Sequence, residues 1–203
     1  MKYALKEWNT TIEALGKGLV IAIWRKGGLG EKGGKGENFK VEQNKFILYP
    51  TFTHQSPDKI KRDFWYLSNG SSGPNVDNQV KIKYFAEVEE TLQIDTLDQL
   101  LNISNELANT EEYLISSWNL NPHNEGKLLL LRVFSLNNPI LITDSPKYAG
   151  CKSWIELKID IPKAGSKTVL SFRNLQAKVR LIKALLKQAP VVALETSHAA
   201  PLL

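Results

Sequence analysis

Cysteine occurs once in this sequence, at Cys151, so no disulfide can form within the chain. Histidine occurs three times, at His54, His123 and His198, with no cysteine or second histidine at ligand spacing, which leaves no metal site to expect. No apolar run approaches the roughly 20 residues of a membrane-spanning helix. The longest such runs, residues 19–24 and 128–131, are strand-sized. Residues 1–8 interrupt their apolar side chains with Lys2, Lys6 and Glu7, so no hydrophobic region of a secretory signal is expected there. These absences read as a cytoplasmic protein with no membrane partner and no cofactor. No internal repeat and no linker divides the 203 residues into halves that could fold alone. We therefore expect one α/β domain over residues 1–188 and a disordered C-terminal tail over 189–203.

What is present is charge, unevenly placed. The net charge is +5. From Glu87 to Glu125 there are nine acidic residues and no lysine or arginine, whereas from Lys147 to Lys187 ten basic residues stand against two acidic ones. Two readings fit. The basic segment offers a polyanion a face while the acidic one repels it, or the segments pack together and neutralise each other. On the first reading the partner is RNA or another nucleic acid. A third possibility is a basic protein partner docked on the acidic 87–125 region.

Periodicity supplies the elements. Ala4, Leu5, Trp8, Ile12 and Leu15 recur at spacings of three and four, which predicts a helix over 3–15 ended by Gly16 and Gly18. Strands are expected at 19–24, 39–42, 45–49, 79–94 (one long strand or two), 127–136, 139–143 and 154–161. Helices are expected from Ser56-Pro57, over 96–107 and over 169–188. In the last, Phe172, Leu175, Val179, Ile182 and Leu186 form the apolar face. Arg173, Arg180 and Lys187 make a basic stripe beside it, with Lys183 close by. The order lacks regular strand–helix alternation. It predicts an α+β fold: a curved, mostly antiparallel sheet or small barrel with flanking helices.

Four places could carry chemistry. Residues 26–37 are half glycine, and Arg25, Lys26, Lys32 and Lys35 with Gly27 and Gly28 would suit a phosphate, although no nucleotide-loop fingerprint is matched. Tyr148 and Trp154 flank Lys152 and Ser153, an arrangement on which a base could stack while the lysine meets phosphate, or which could simply plug a core with Cys151 buried. His54 beside Gln55 follows a strand end and could supply polar contacts. Asp144 after one strand and Glu156-Leu157-Lys158 on the next resemble the Mg²⁺-binding signature of restriction-endonuclease-like enzymes, a short pattern that also arises as ordinary exposed alternation. No residue is poised well enough to name a reaction, so the sequence leans away from an enzyme.

Several stretches resemble one family in order along the chain. They are Ala4-Leu5-Lys6-Glu7-Trp8, Arg25-Lys26-Gly27-Gly28, Phe46-Ile47-Leu48-Tyr49-Pro50-Thr51 with His54-Gln55, Leu131-Arg132-Val133, and Tyr148-Ala149-Gly150-Cys151-Lys152-Ser153-Trp154. The family is the domain of unknown function numbered 1802, widespread in cyanobacteria, and the resemblance brings no activity. After Gly28 the glycine-rich segment is longer and looser than the family pattern. The element order, with Ala86-Glu87-Val88 and Leu131-Arg132-Val133, is also similar to PUA-like domains of the ASCH and EVE kind. That similarity implies a small β-barrel associated with RNA or modified bases. The expectation taken forward is an RNA-binding module using Arg25, Lys26, Lys32, Lys35, His54, Gln55, Tyr148 and Lys152. A nuclease using Asp144, Glu156 and Lys158, or an assembly factor, is the alternative.

Overall fold

The computed structural model describes residues 1–27, 38–68, 78–120, 125–150 and 152–188. Among these, seven strands form one sheet and four α-helices flank it. The strands are β1 (Tyr3–Trp8), β2 (Ala22–Lys26), β3 (Lys45–Thr51), β4 (Gln79–Ile94), β5 (Gly126–Thr143), β6 (Trp154–Glu156) and β7 (Lys167–Thr168). The helices are α1 (Asn9–Gly16), α2 (Leu97–Asn102), α3 (Glu111–Leu120) and α4 (Phe172–Leu185). The strand order is β2-β5-β4-β3-β1-β6, with β7 alongside β5. Every pairing is antiparallel except β1 with β3. The α+β reading with a curved, mostly antiparallel sheet therefore holds.

The helix expected over 3–15 is half strand. Ala4 and Leu5 are both fully buried, yet they enter different cores. Neighbouring residues can do that only in a strand, where side chains alternate between faces. Leu5 joins Phe46, Leu48 and the α1 residues Ile12 and Leu15 on one face. Ala4 joins Ile47, Tyr49 and Tyr148 on the other. Because β1 lies inside the sheet, both its faces are covered, and its apolar spacing imitates a helix. The expected ending of α1 is found. Gly18 takes φ +68°, and the Lys17 and Gly18 amides donate to the Glu13 and Leu15 carbonyls.

Other elements differ from expectation in the same physical way. Residues 39–42 form no strand, because the Trp154 indole donates to the Lys40 carbonyl at 2.8 Å and Phe39 packs on the Trp154 ring. Ser56-Pro57 opens only a turn, followed by a 3-10 helix, Arg62–Ser68. The two strands expected at 127–136 and 139–143 are one, β5, which pairs with β4 on either side of residues 136–139, where the register jumps. Register shifts between Ile82 and Tyr84 and between Val88 and Glu90 bend that pair. The strand expected over 154–161 stops at Glu156, after which the chain stays beside the N-terminus, its Leu157 and Ile161 amides donating to the Lys2 and Met1 carbonyls while both side chains are buried. In α4, Leu175, Val179 and Ile182 are buried as expected, but Phe172 is 68% exposed.

The opposed charge segments do meet. Lys183 on α4 pairs with Glu90 on β4 at 2.7 Å, and Gln176 donates to Glu89, which also pairs with Arg132. Neutralisation thus accounts for part of the asymmetry. Arg173 and Arg180 on α4, and Lys187 just beyond its end, remain exposed. No helix among the described residues is long and apolar enough to cross a membrane.

Candidate functional site

The parallel pair β1 and β3 ends on one side of the sheet, and a cavity of about 530 Å³ opens there. Its walls come from Lys6, Glu7 and Trp8 of β1, Trp24 and Arg25 of β2, and Tyr49 to His54 at and beyond the end of β3. Tyr113 of α3, Asn109, Asp144 after β5, Tyr148 to Gly150, and Lys152 with Ser153 also line it. The volume falls within the roughly 300–1,000 Å³ of small-ligand sites.

The cationic side of the pocket is braced by a carboxylate. The Arg25 guanidinium contacts Glu7 Oε2 at 2.8 Å and donates to the Lys6 carbonyl at 2.7 Å. The other carboxylate oxygen of Glu7 accepts the Trp8 amide at 2.7 Å. The Glu7 side chain is only 8% exposed and that of Arg25 22%, so this pair is largely withdrawn from water. Trp8 and Tyr113 lie with ring centroids 5.0 Å apart. Burial raises the Tyr113 phenol pKa, with the Glu7 charge adding to the rise and Arg25 opposing it.

On the opposite wall, Lys6 Nζ donates to the carbonyls of Tyr148 and Gly150, both at 2.7 Å. That anchors the stretch from which Lys152 projects. Tyr148 is 5% exposed, stands edge-on to Tyr49 at 5.7 Å, and its hydroxyl accepts the Lys158 amide at 2.8 Å. Tyr49 donates to Asp144 Oδ1 at 2.6 Å. Burial first, and then the Asp144 hydrogen bond and charge, push the Tyr49 phenol pKa far up, so it stays a donor. His54 adopts φ 62°, a left-handed conformation that is uncommon for a side-chain-bearing residue and sits here on the pocket rim.

Of the residues singled out in the sequence, Arg25, His54, Asp144, Tyr148, Lys152 and Ser153 line this one cavity. Lys26 points elsewhere. Its ammonium donates to the Trp118 carbonyl at 2.8 Å and lies 3.8 Å from the Trp118 ring centre, and partial burial lowers its pKa. Gly27 is buried behind it. Gly28, Lys32, Lys35, Cys151 and the tail 189–203 lie outside the described residues. Gln55 is a helix cap rather than a pocket contact, since its side-chain oxygen accepts the Thr10 amide in the first turn of α1 at 3.0 Å. A Gln55→Ala variant is expected to lose about 1 kcal/mol of stability while keeping ligand affinity, which denaturant unfolding and a binding titration would check.

Asp144 and Glu156 do not sit on adjacent strands. β4, β3 and β1 separate β5 from β6 in the sheet. Glu156 is exposed opposite Tyr3 at the sheet edge, and Lys158 lies beyond the strand. No group of three or more acidic, histidine or cysteine side chains among the described residues could hold a metal ion. Glu7 and Trp8 stand in the family-like stretch 4–8 but fall within the helix expected over 3–15, so neither is assigned to a site from the sequence. Tyr113 belongs to α3, whose mixed composition shows little periodicity.

A family model described as "Domain of unknown function (DUF1802)" matches residues 4–180. Among curated proteins, none matches the chain. A crystal structure of ASCH from Zymomonas mobilis is similar at 13% identity and a TM-score of 0.44. One of a mutant of that protein gives 14% and 0.43. Each match covers 88% of this chain and 94% of the other.

Proposed function

The chain belongs to the DUF1802 family, a membership that names no activity, and from its pocket we propose that it binds single-stranded RNA by taking up one unstacked base. The observation that carries this reading is the joining of aromatic walls and cations in one small-ligand cavity: Trp8, Trp24, Tyr113 and Tyr148 beside Arg25 and Lys152. Sequence-reading RNA modules splay bases out of single strands and stack them on such rings, with cations on the backbone. Lys152 is exposed and lines the pocket, which supports a role for it as the phosphate contact. Asp144 and His54 offer polar partners for a base edge or a ribose 2′-hydroxyl, the group that separates RNA from DNA.

Fluorescence anisotropy with labelled single-stranded RNA, duplex RNA and DNA, at low and near-physiological salt, tests the reading. Single-stranded RNA should bind best at the higher salt. Lys152→Ala should weaken every RNA sequence alike and reduce the salt slope by about 1, without changing the melting temperature. Equal affinity for all three nucleic acids, or an unchanged salt slope in the variant, would remove Lys152 and the base pocket from the account.

A further inference from the structure

Residues 58–66 read Asp-Lys-Ile-Lys-Arg-Asp-Phe-Trp-Tyr, with cations and aromatics close together. The 3-10 helix Arg62–Ser68 repeats every three residues, so positions i and i+3 share a line. Phe64 and Leu67 form the line that packs on the core, and Leu67 is 2% exposed. The other two lines, Arg62 with Trp65 and Asp63 with Tyr66, face outward. Trp65 keeps 43% exposure and Tyr66 keeps 62%.

This surface is tied to the pocket at two points. The Trp65 indole donates to the Ile60 carbonyl at 3.0 Å, and Ile60 bridges to Asn109, a pocket wall. Lys59 Nζ donates to the carbonyl of His54, on the pocket rim, at 3.1 Å. A second hollow lies alongside, lined by Asp58, Lys59 and Tyr113, and Tyr113 also walls the first cavity.

We propose that this surface is a stacking platform for the rest of a single-stranded RNA whose one base occupies the pocket, an inference that rests on the function proposed above. The strand passes Tyr113, and its next bases stack on Trp65 and Tyr66. Lys59 and Arg62 meet its phosphates, and Lys17, whose ammonium lies 6.0 Å from the Tyr66 ring, adds a third cation. Asp58, Asp63 and Glu112, the last lining the hollow beside Tyr113, hold the local positive charge down, so stacking supplies more of the affinity here than phosphate contacts do. Such a platform tolerates any base, because every base presents a π-face.

Two probes separate the platform from the pocket. Adenosine 5′-monophosphate fills only the pocket, whereas a fluorescein-labelled oligoadenylate of about a dozen nucleotides reaches both. Trp65→Ala combined with Tyr66→Ala should weaken the oligonucleotide about tenfold or more, with the mononucleotide unchanged within about twofold. Trp65→Phe, which keeps a ring, should retain most of the affinity. Tyr66→Ala alone removes a ring that is mostly in solvent, so it still decides the matter if the double variant fails to fold, with a smaller loss expected. Unchanged oligonucleotide affinity overturns the platform, as do parallel losses for both probes. If the unaltered protein binds the mononucleotide but gains nothing from length, the pocket stands and the platform falls. If it binds neither probe, the proposed function falls first.

Discussion

Arg25→Ala is expected to destabilise the protein by about 3 kcal/mol, because it strands a buried carboxylate. Glu7 has one oxygen on the Trp8 amide and the other on the Arg25 guanidinium, and little of it reaches water. Removing the cation leaves that charge without its partner. The Lys6 carbonyl also loses its guanidinium donor. For a chain of this length such a loss lowers the melting temperature by roughly 6–12 °C. The cost belongs to the orphaned charge more than to the pair itself. Combining Arg25→Met with Glu7→Gln should therefore recover most of the stability, since the amide keeps an acceptor for Trp8 and carries no charge. Thermal unfolding of the two single variants and the double variant reads the coupling directly. Additive losses would mean that water screens the pair, and Arg25 would then be a rim cation rather than a braced one. Ligand affinity separates differently: the double variant should stay folded yet bind RNA poorly, because the cation is gone in both backgrounds.

The same residues explain what could and could not be read from the sequence. Arg25, His54, Tyr148 and Lys152 stood out because polar and aromatic side chains at strand ends and turns have few structural reasons to be there. Their convergence on one cavity was not legible, since it depends on β1 pairing parallel to β3 across some forty residues. Trp8 and Glu7 were obscured by a coincidence of period. A strand buried on both faces followed at once by a helix gives the same apolar spacing as one longer helix. β4 was legible as extended chain, in one strand or two, because its sixteen residues have no breaker. Its partner β5 is expected to break at Asn137-Asn138-Pro139; the strand runs on, but its pairing with β4 does lapse there and resumes at Ile140 opposite Ile82. Lys26 shows a further limit. Beside glycines it reads as a phosphate ligand, but Trp118 lies far away in sequence and close in space, and takes the ammonium for itself.

Gly126→Ala is the second large effect expected, and it reaches the pocket from behind. Gly126 opens β5 between Lys26 of β2 and Ile94 of β4. A Cβ placed there would lie 2.2 Å from the Trp24 indole and 3.1 Å from the Ile94 carbonyl oxygen. The strand cannot withdraw, being paired on both sides, so the indole must move. It has little room to do so. Trp24 is 7% exposed, its N–H donates to Ser117 at 3.2 Å, and its ring stacks on Trp118 at 5.8 Å. Overpacking of this kind costs about 1–3 kcal/mol, and loss of the Ser117 hydrogen bond and the ring stack puts this site at the upper end. A melting temperature lower by roughly 6–12 °C should result. Because Trp24 also walls the cavity, single-stranded RNA affinity should fall together with stability, although the substitution adds one methyl group and touches no ligand. Trp24→Phe in the same chain makes space for the methyl and should restore part of the stability but not the affinity, since the smaller ring no longer fills the wall. If Gly126→Ala melts like the unaltered protein, the indole is free to move, and Trp24 cannot be a fixed stacking surface.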